Sequence, residues 1–212
     1  MTSTRLRIGL LCILTLLPLV GGCRLFGAMF LLFAPEPTRT EEAKYPYLTD
    51  KKVCIVIWTD SYTAMEYPFV RLELSEHIVD AIKANVHGVS FIPNRSVIKL
   101  QDKDAAWDRT HPAQLGKRFG ADRVLMIDVT QYTMREPEST YLYRGRIAAN
   151  VRVYNPDYPD AAPVHEATVE TVYPPDSHGA WGSEEKSIRK LTMEAFAQEI
   201  AAQFYDRQVK VE

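Results

Sequence analysis

The chain has 212 residues and a formal net charge of -2, so it offers no general surface for nucleic acid. Its hydrophobic content of 46% argues against long disorder, and its length, less an apolar N-terminal segment, suits one domain able to bury a proper core. Of the three cysteines, Cys12 and Cys23 belong to that N-terminal segment and Cys54 stands alone in the rest. The domain therefore forms no internal disulfide, and no CxxC pair or Cys/His cluster has metal-ligand spacing; no metal or cofactor is expected.

Arg5 and Arg7 form a positive start, and residues 8–19 are almost wholly apolar. Gly21 and Gly22 then precede Cys23, which is the layout of a secretory signal. The stretch Leu19-Val20-Gly21-Gly22-Cys23 resembles the bacterial lipobox, in which the cysteine becomes the lipidated N-terminus. The expectation is a signal over 1–22, lipid attachment at Cys23, an anchor and tether over 23–50, and a domain over 51–212. The competing reading is an uncleaved transmembrane helix, since a second apolar run follows at residues 25–34 and about 20 apolar residues span a bilayer. Arg24, Pro18 and the Gly-Gly pair oppose it, because a charge near the centre of a span costs roughly 3 kcal/mol. Both readings place the domain outside the cytoplasm, as the N-terminal arginines stay inside. Arg24 after Cys23, in place of the aspartate tied to inner-membrane retention in enterobacteria, tilts the expectation toward an outer membrane. Residues 35–46 are polar and broken by prolines, which reads as a tether.

Residues 53–58 (Val-Cys-Ile-Val-Ile-Trp) are apolar on both faces and predict a central strand. Cys54 within it reads as a core residue. Pro68 opens a helix carrying Val70, Leu74, Ile78 and Ala81 at helical spacing, ending at His87-Gly88; a short strand follows over 89–92. Asn94 or Ser96 is the expected cap of a short helix through Val97 to Leu100, and Pro112 opens another that stops at Gly120. Residues 121–132, 144–154 and 164–173 predict an antiparallel meander, with prolines at 156 and 159 in the last turn. A final helix over about 183–205 places Met193, Phe196, Ala197, Ile200 and Phe204 on one side. The order β-α-β-α-α-β-β-β-α predicts an α/β (α+β) fold, a mixed sheet with helices packed against it.

The phrase Phe119-Gly120-Ala121-Asp122-Arg123-Val124-Leu125 leading into a strand, followed by Val151-Arg152-Val153-Tyr154, is similar to the α/β domain of envelope lipoproteins. The curli-secretion lipoprotein, the penicillin-binding-protein activator lipoprotein and the N-terminal domain of the Tol periplasmic protein share it. Trp58-Thr59-Asp60 and Tyr67-Pro68-Phe69-Val70-Arg71 resemble phrases in lipoproteins from planctomycete-type bacteria. The resemblance covers roughly residues 51–205 and implies the fold, not a chemistry. The long insertion that builds the curli pore has no counterpart here, so no pore is implied.

Signatures of common catalytic classes are absent: no GxSxG, HExxH, P-loop, GxGxxG or S-x-x-K. Strand alternation puts Arg144, Arg146, Asn150, Arg152 and Tyr154 on one face, with Asp128 and Thr130 within reach on the preceding strand. That face reads as cross-strand ion pairs, or alternatively as a site for an anionic polymer or partner. Asp60 reads as an ordinary turn residue, and Asp176-Ser177-His178 as a loop, since neighbours in one loop cannot form a catalytic relay. His77, His87, His111 and His165 are scattered singly. Trp58, Tyr62, Tyr67, Tyr173 and Trp181 lie in aromatic segments suited to anchoring a partner. The leading expectation is a non-catalytic binding or assembly module on the envelope, its partner an envelope protein or the cell wall. The alternatives are a wall-acting hydrolase using Asp60, Glu66 or Asp128, and a structural module on a transmembrane helix. Oligomeric state stays open.

Overall fold

A computed structural model describes residues 38–136, 142–158, 160–175, 180–181 and 185–210. The signal, Cys23, the apolar run after it and the first residues of the tether fall outside these residues, as does the Asp176–His178 loop. The chain divides into two compact units. The larger runs from Glu41 to Arg207; the other joins residues before and after it, and its described part is residues 38–40 and 208–210, which belong to a two-stranded ribbon of β1 (Thr38–Glu41) and β8 (Arg207–Lys210).

In the larger unit the elements are β2 (Lys52–Trp58), α1 (Ser61–Glu66), α2 (Val70–Asn85), β3 (Ser90–Phe91), α3 (Asn94–Lys103), a 3-10 turn (Trp107–Arg109), α4 (Pro112–Phe119), β4 (Arg123–Arg135), β5 (Leu142–Tyr154), β6 (His165–Tyr173), β7 (Ala180–Trp181) and α5 (Glu185–Ala201). One mixed sheet runs in the order β3-β2-β4-β5-β6, with β7 pairing the start of β5. β2 is parallel to β3 and β4, and β4, β5 and β6 form the antiparallel meander that the sequence predicts.

β2 is central because Val53 to Ile57 are buried on both faces. Val53, Ile55 and Ile57 enter the larger core with Leu125, Ile127, Ile147, Val151 and the apolar faces of α2 and α5. Phe196 of α5 is wholly buried there. Gly145 lets α5 approach β5, since a Cβ at that position would lie 1.9 Å from Thr192 Oγ1. On the other face Cys54 and Val56 join Val97, Leu115, Val124 and Met126 in a smaller core beneath α3 and α4. Pro112 sits in the first turn of α4, and Gly120 ends it in a left-handed conformation with φ of 61°. Two residues on, Asp122 ties the crossover to β2: its amide donates to Lys52 O (2.7 Å), and its Oδ2 accepts from Lys52 N (2.8 Å).

Three expectations change. The tether stops short of residue 50: Tyr45 and Leu48 are buried in the larger core, and the Tyr45 hydroxyl accepts from Arg123 Nε at 3.0 Å. Two apolar residues three apart outweigh the prolines around them. Asp60 is a helix cap rather than a plain turn: its Oδ1 accepts from the amides of Tyr62 (2.9 Å) and Thr63 (3.0 Å), opening α1 ahead of the predicted helix. Neither Asn94 nor Ser96 caps α3; Pro93 precedes it with no side-chain bond, and the amide of Ser96 donates to Pro93 O at 2.9 Å. Among the described residues no helix is long and apolar enough to cross a membrane.

Candidate functional site

The smaller core ends where α3 and α4 stop covering the sheet, and a cleft of about 610 Å3 opens there. Its inner wall comes from three strands. Trp58 closes β2; beside it β4 contributes Met126 and Asp128, and β5 contributes Arg152 and Tyr154. The register sets Trp58 opposite Asp128 and Met126 opposite Arg152, so alternation aims these side chains at one face. The outer wall is the 3-10 turn with the start of α4: Trp107, Asp108, Arg109, Thr110, His111, Pro112 and Leu115. Gln101, buried on α3, donates from Nε2 to Ile57 O at 2.9 Å and holds the end of β2 against α3.

The volume falls within the range of about 300–1,000 Å3 of small-molecule sites, and the position at the carboxyl end of a parallel strand is where open α/β sheets collect ligands. Four aromatic rings line it, of Trp58, Trp107, His111 and Tyr154. The His111 and Tyr154 rings meet edge to face at 5.2 Å, and His111 Nδ1 accepts from the Ala113 amide at 3.3 Å, which fixes the ring over the cleft. Arg152 Nη2 donates to Asp128 Oδ2, with both side chains less than a third exposed. Arg152 Nε is buried without a hydrogen-bond partner among the described residues. Two acids, Asp108 and Asp128, face two arginines, Arg109 and Arg152, so the lining carries no net charge with histidine neutral.

The structure brings Trp58, Asp128, Arg152 and Tyr154 into one site, while Arg144, Arg146, Tyr62, Tyr67 and Tyr173 do not line it. Arg146 makes a two-point contact with Glu136 (2.7 and 2.9 Å), and Arg144 donates from Nη2 to Pro175 O at 3.0 Å. These arginines form ion pairs along the sheet face, and the Nε atoms of both are buried without partners among the described residues. Tyr62 is exposed, and its hydroxyl is held above its ordinary value by a hydrogen bond to Glu66 and by that charge. Tyr67 is no free loop tip: its ring packs on Tyr132 at 5.1 Å, Arg189 lies 5.5 Å from its centroid, and its hydroxyl donates to Glu185 at 3.4 Å. Burial raises the hydroxyl pKa of both Tyr67 and Tyr132. Tyr173 ends β6 opposite Gly145, and the Trp181 side chain lies outside the described residues. Asp60 is held below the usual carboxylate range by hydrogen bonds from the Thr63 hydroxyl and amide, and neither it nor Glu66 lines the cleft. Sequence reasoning missed Trp107 and His111, which lie in a connection without periodicity. The available signal was an aromatic and a histidine just ahead of the helix-opening Pro112. Among the described residues no group of three His, Cys, Asp or Glu is placed to hold a metal ion.

No family model matches the chain, and no curated protein matches it. Solved structures do. The PelC dodecamer from Paraburkholderia phytofirmans is 11% identical, with 80% of this chain and 98% of that one covered and a TM-score of 0.46. Lipoprotein GNA1162 from Neisseria meningitidis is 18% identical, covering 71% and 97%, with a TM-score of 0.40. A minor lipoprotein from Acinetobacter baumannii is 14% identical, covering 72% and 91%, with a TM-score of 0.38. Likenesses at this level carry no argument about ligand or assembly. The chain is similar to a set of bacterial proteins that includes several described as lipoproteins.

Proposed function

We propose that the protein is an envelope lipoprotein, anchored through Cys23 after removal of residues 1–22, whose α/β domain is a non-catalytic binding module facing the periplasm, with the outer membrane as its site. The positive start, the apolar stretch and the Gly21-Gly22-Cys23 sequence support the anchor. The aromatic cleft over the Asp128–Arg152 pair is the observation that carries the binding role. The three carboxylates open to a hydrolytic role are engaged otherwise: Asp128 by the Arg152 guanidinium, Asp60 by the cap of α1, Glu66 by the Tyr62 hydroxyl. Hydrolysis of a glycosidic bond by a carboxyl pair needs one carboxyl free to give a proton and another free to take one or to attack.

Crosslinking in cells, followed by mass spectrometry of the tagged full chain, tests this reading. We expect one envelope component to crosslink to the wild-type chain, to weaken with Trp107→Ala in the cleft wall, and to disappear with Cys23→Ser. Absence of any partner from both wild-type and Cys23→Ser chains refutes it, and so does turnover of wall material by the purified protein.

A further inference from the structure

We infer that the cleft takes a neutral saccharide, bound by stacking of its ring faces and by paired hydroxyl contacts to Asp128 and Arg152. The inference rests on the binding-module reading and names the ligand class of that site. Three features of the lining select the class together.

Trp58, Trp107, His111 and Tyr154 line the cleft together with the apolar side chains of Leu115 and Met126, so the ligand must present flat apolar surface. The lining has balanced charge, with Asp108 and Asp128 against Arg109 and Arg152, so no net field draws an anion or a cation in. The Asp128–Arg152 pair sets an acceptor beside a donor in the lining of this apolar space. An aromatic or acyl ligand satisfies the walls but strips water from the ion pair and returns nothing to it. A sugar ring satisfies both. Its axial C–H face lies on an aromatic ring, while one hydroxyl donates to the Asp128 carboxylate and its neighbour accepts from the Arg152 guanidinium. The pair stays ionised throughout and no covalent step is involved.

Two of the three tryptophans, Trp58 and Trp107, line the cleft, so intrinsic fluorescence of the full chain in detergent micelles reads this site. The probes are triacetylchitotriose and maltotriose as neutral oligosaccharides, with adenosine and phenylalaninamide as flat non-sugar controls, and calorimetry repeats each titration. We expect a saturable response to at least one oligosaccharide. It should persist in Trp181→Phe and weaken at least tenfold in both Asp128→Asn and Arg152→Gln, each checked for a cooperative thermal transition. If neither oligosaccharide binds, or if both variants bind as wild type does, the inference is overturned. Binding of adenosine or phenylalaninamide alone overturns the saccharide assignment while the binding-module reading stands. Loss of a crosslinked partner in Trp107→Ala without any sugar response has the same meaning.

Discussion

The ion pair in the cleft is the most direct place to test the physical account. Asp128 and Arg152 have side-chain exposures of 21% and 30%, between a solvated surface pair and a buried one. Exposed pairs contribute about 0–1 kcal/mol, and hydrogen bonds to charged groups about 1.5–3 kcal/mol, so a coupling energy of about 1–2 kcal/mol is expected. Asp128→Ala should cost more than this coupling alone. It leaves a guanidinium whose Nε already lacks a partner among the described residues and removes its carboxylate as well. In a domain of this size each kcal/mol moves Tm by about 2–4 °C, so the single variants should fall by roughly 4–8 °C. The assay is a double-mutant cycle of Asp128→Ala, Arg152→Ala and their combination, by urea unfolding at pH 7, repeated at high salt. Salt should remove only a minor part of the coupling, because a half-buried pair is weakly screened. A coupling under about 0.3 kcal/mol, or one abolished by salt, would show a solvated pair and refute the fixed donor–acceptor pair.

Gly145→Ala places a Cβ 1.9 Å from Thr192 Oγ1 and should destabilise by about 1–3 kcal/mol in thermal unfolding, with Thr192→Ala recovering part of the loss. An unchanged Tm would mean that α5 does not seat on β5. Burial pushes the Cys54 thiol up to about 12, so peptide mapping after alkylation at pH 8 should find it unmodified in the native protein and fully modified in urea. Asp60 has a carboxyl pKa below its ordinary value, so its contribution to α1 is complete above pH ~4, the unfolded range, and fades as pH falls through the lower folded value. Amide exchange at Tyr62 and Thr63 should accelerate over that acid interval, and Asp60→Asn should remove the dependence on pH.

The elements legible in the sequence are those whose burial pattern is periodic or continuous. The run over Val53–Trp58, the alternation along Leu142–Tyr154 and the Met193–Phe196–Ile200 side of the last helix each specify a face without tertiary knowledge. α1 was hidden because six residues display less than two helical turns, leaving the Asp60 cap as its one signal. Burial of Tyr45 and Leu48 was masked by a polar, proline-broken composition. Trp58, Asp128 and Arg152 were each visible, yet on separate strands, and no local rule relates residues 58, 128 and 152. Only the β2–β4 and β4–β5 registers make them neighbours. Tyr67 misled for the converse reason: its place in an aromatic loop says nothing of Glu185 and Arg189, which arrive from α5 to enclose it.

The position of the cleft follows from the lengths of the elements around it. On the α2–α5 face, helices of 16 and 17 residues span about 24–26 Å and cover the shared core of β2, β4 and β5. On the opposite face α3 and α4 have 10 and 8 residues, about 15 and 12 Å, while β4 beneath them has 13 residues and reaches about 43 Å. The shorter pair covers less of the sheet, and the sequence marks where its cover ends. Val124 and Met126 are apolar and lie under the helices; the next residues on the same side are Asp128 and Thr130. A sheet passing from covered to open needs groups there that tolerate an apolar neighbour on one side and water on the other. An ion pair ringed by amphipathic aromatics satisfies both conditions. The same demand leaves a concave, half-dry edge with unspent hydrogen-bonding capacity, so the step in helical cover that closes the smaller core also opens the cleft.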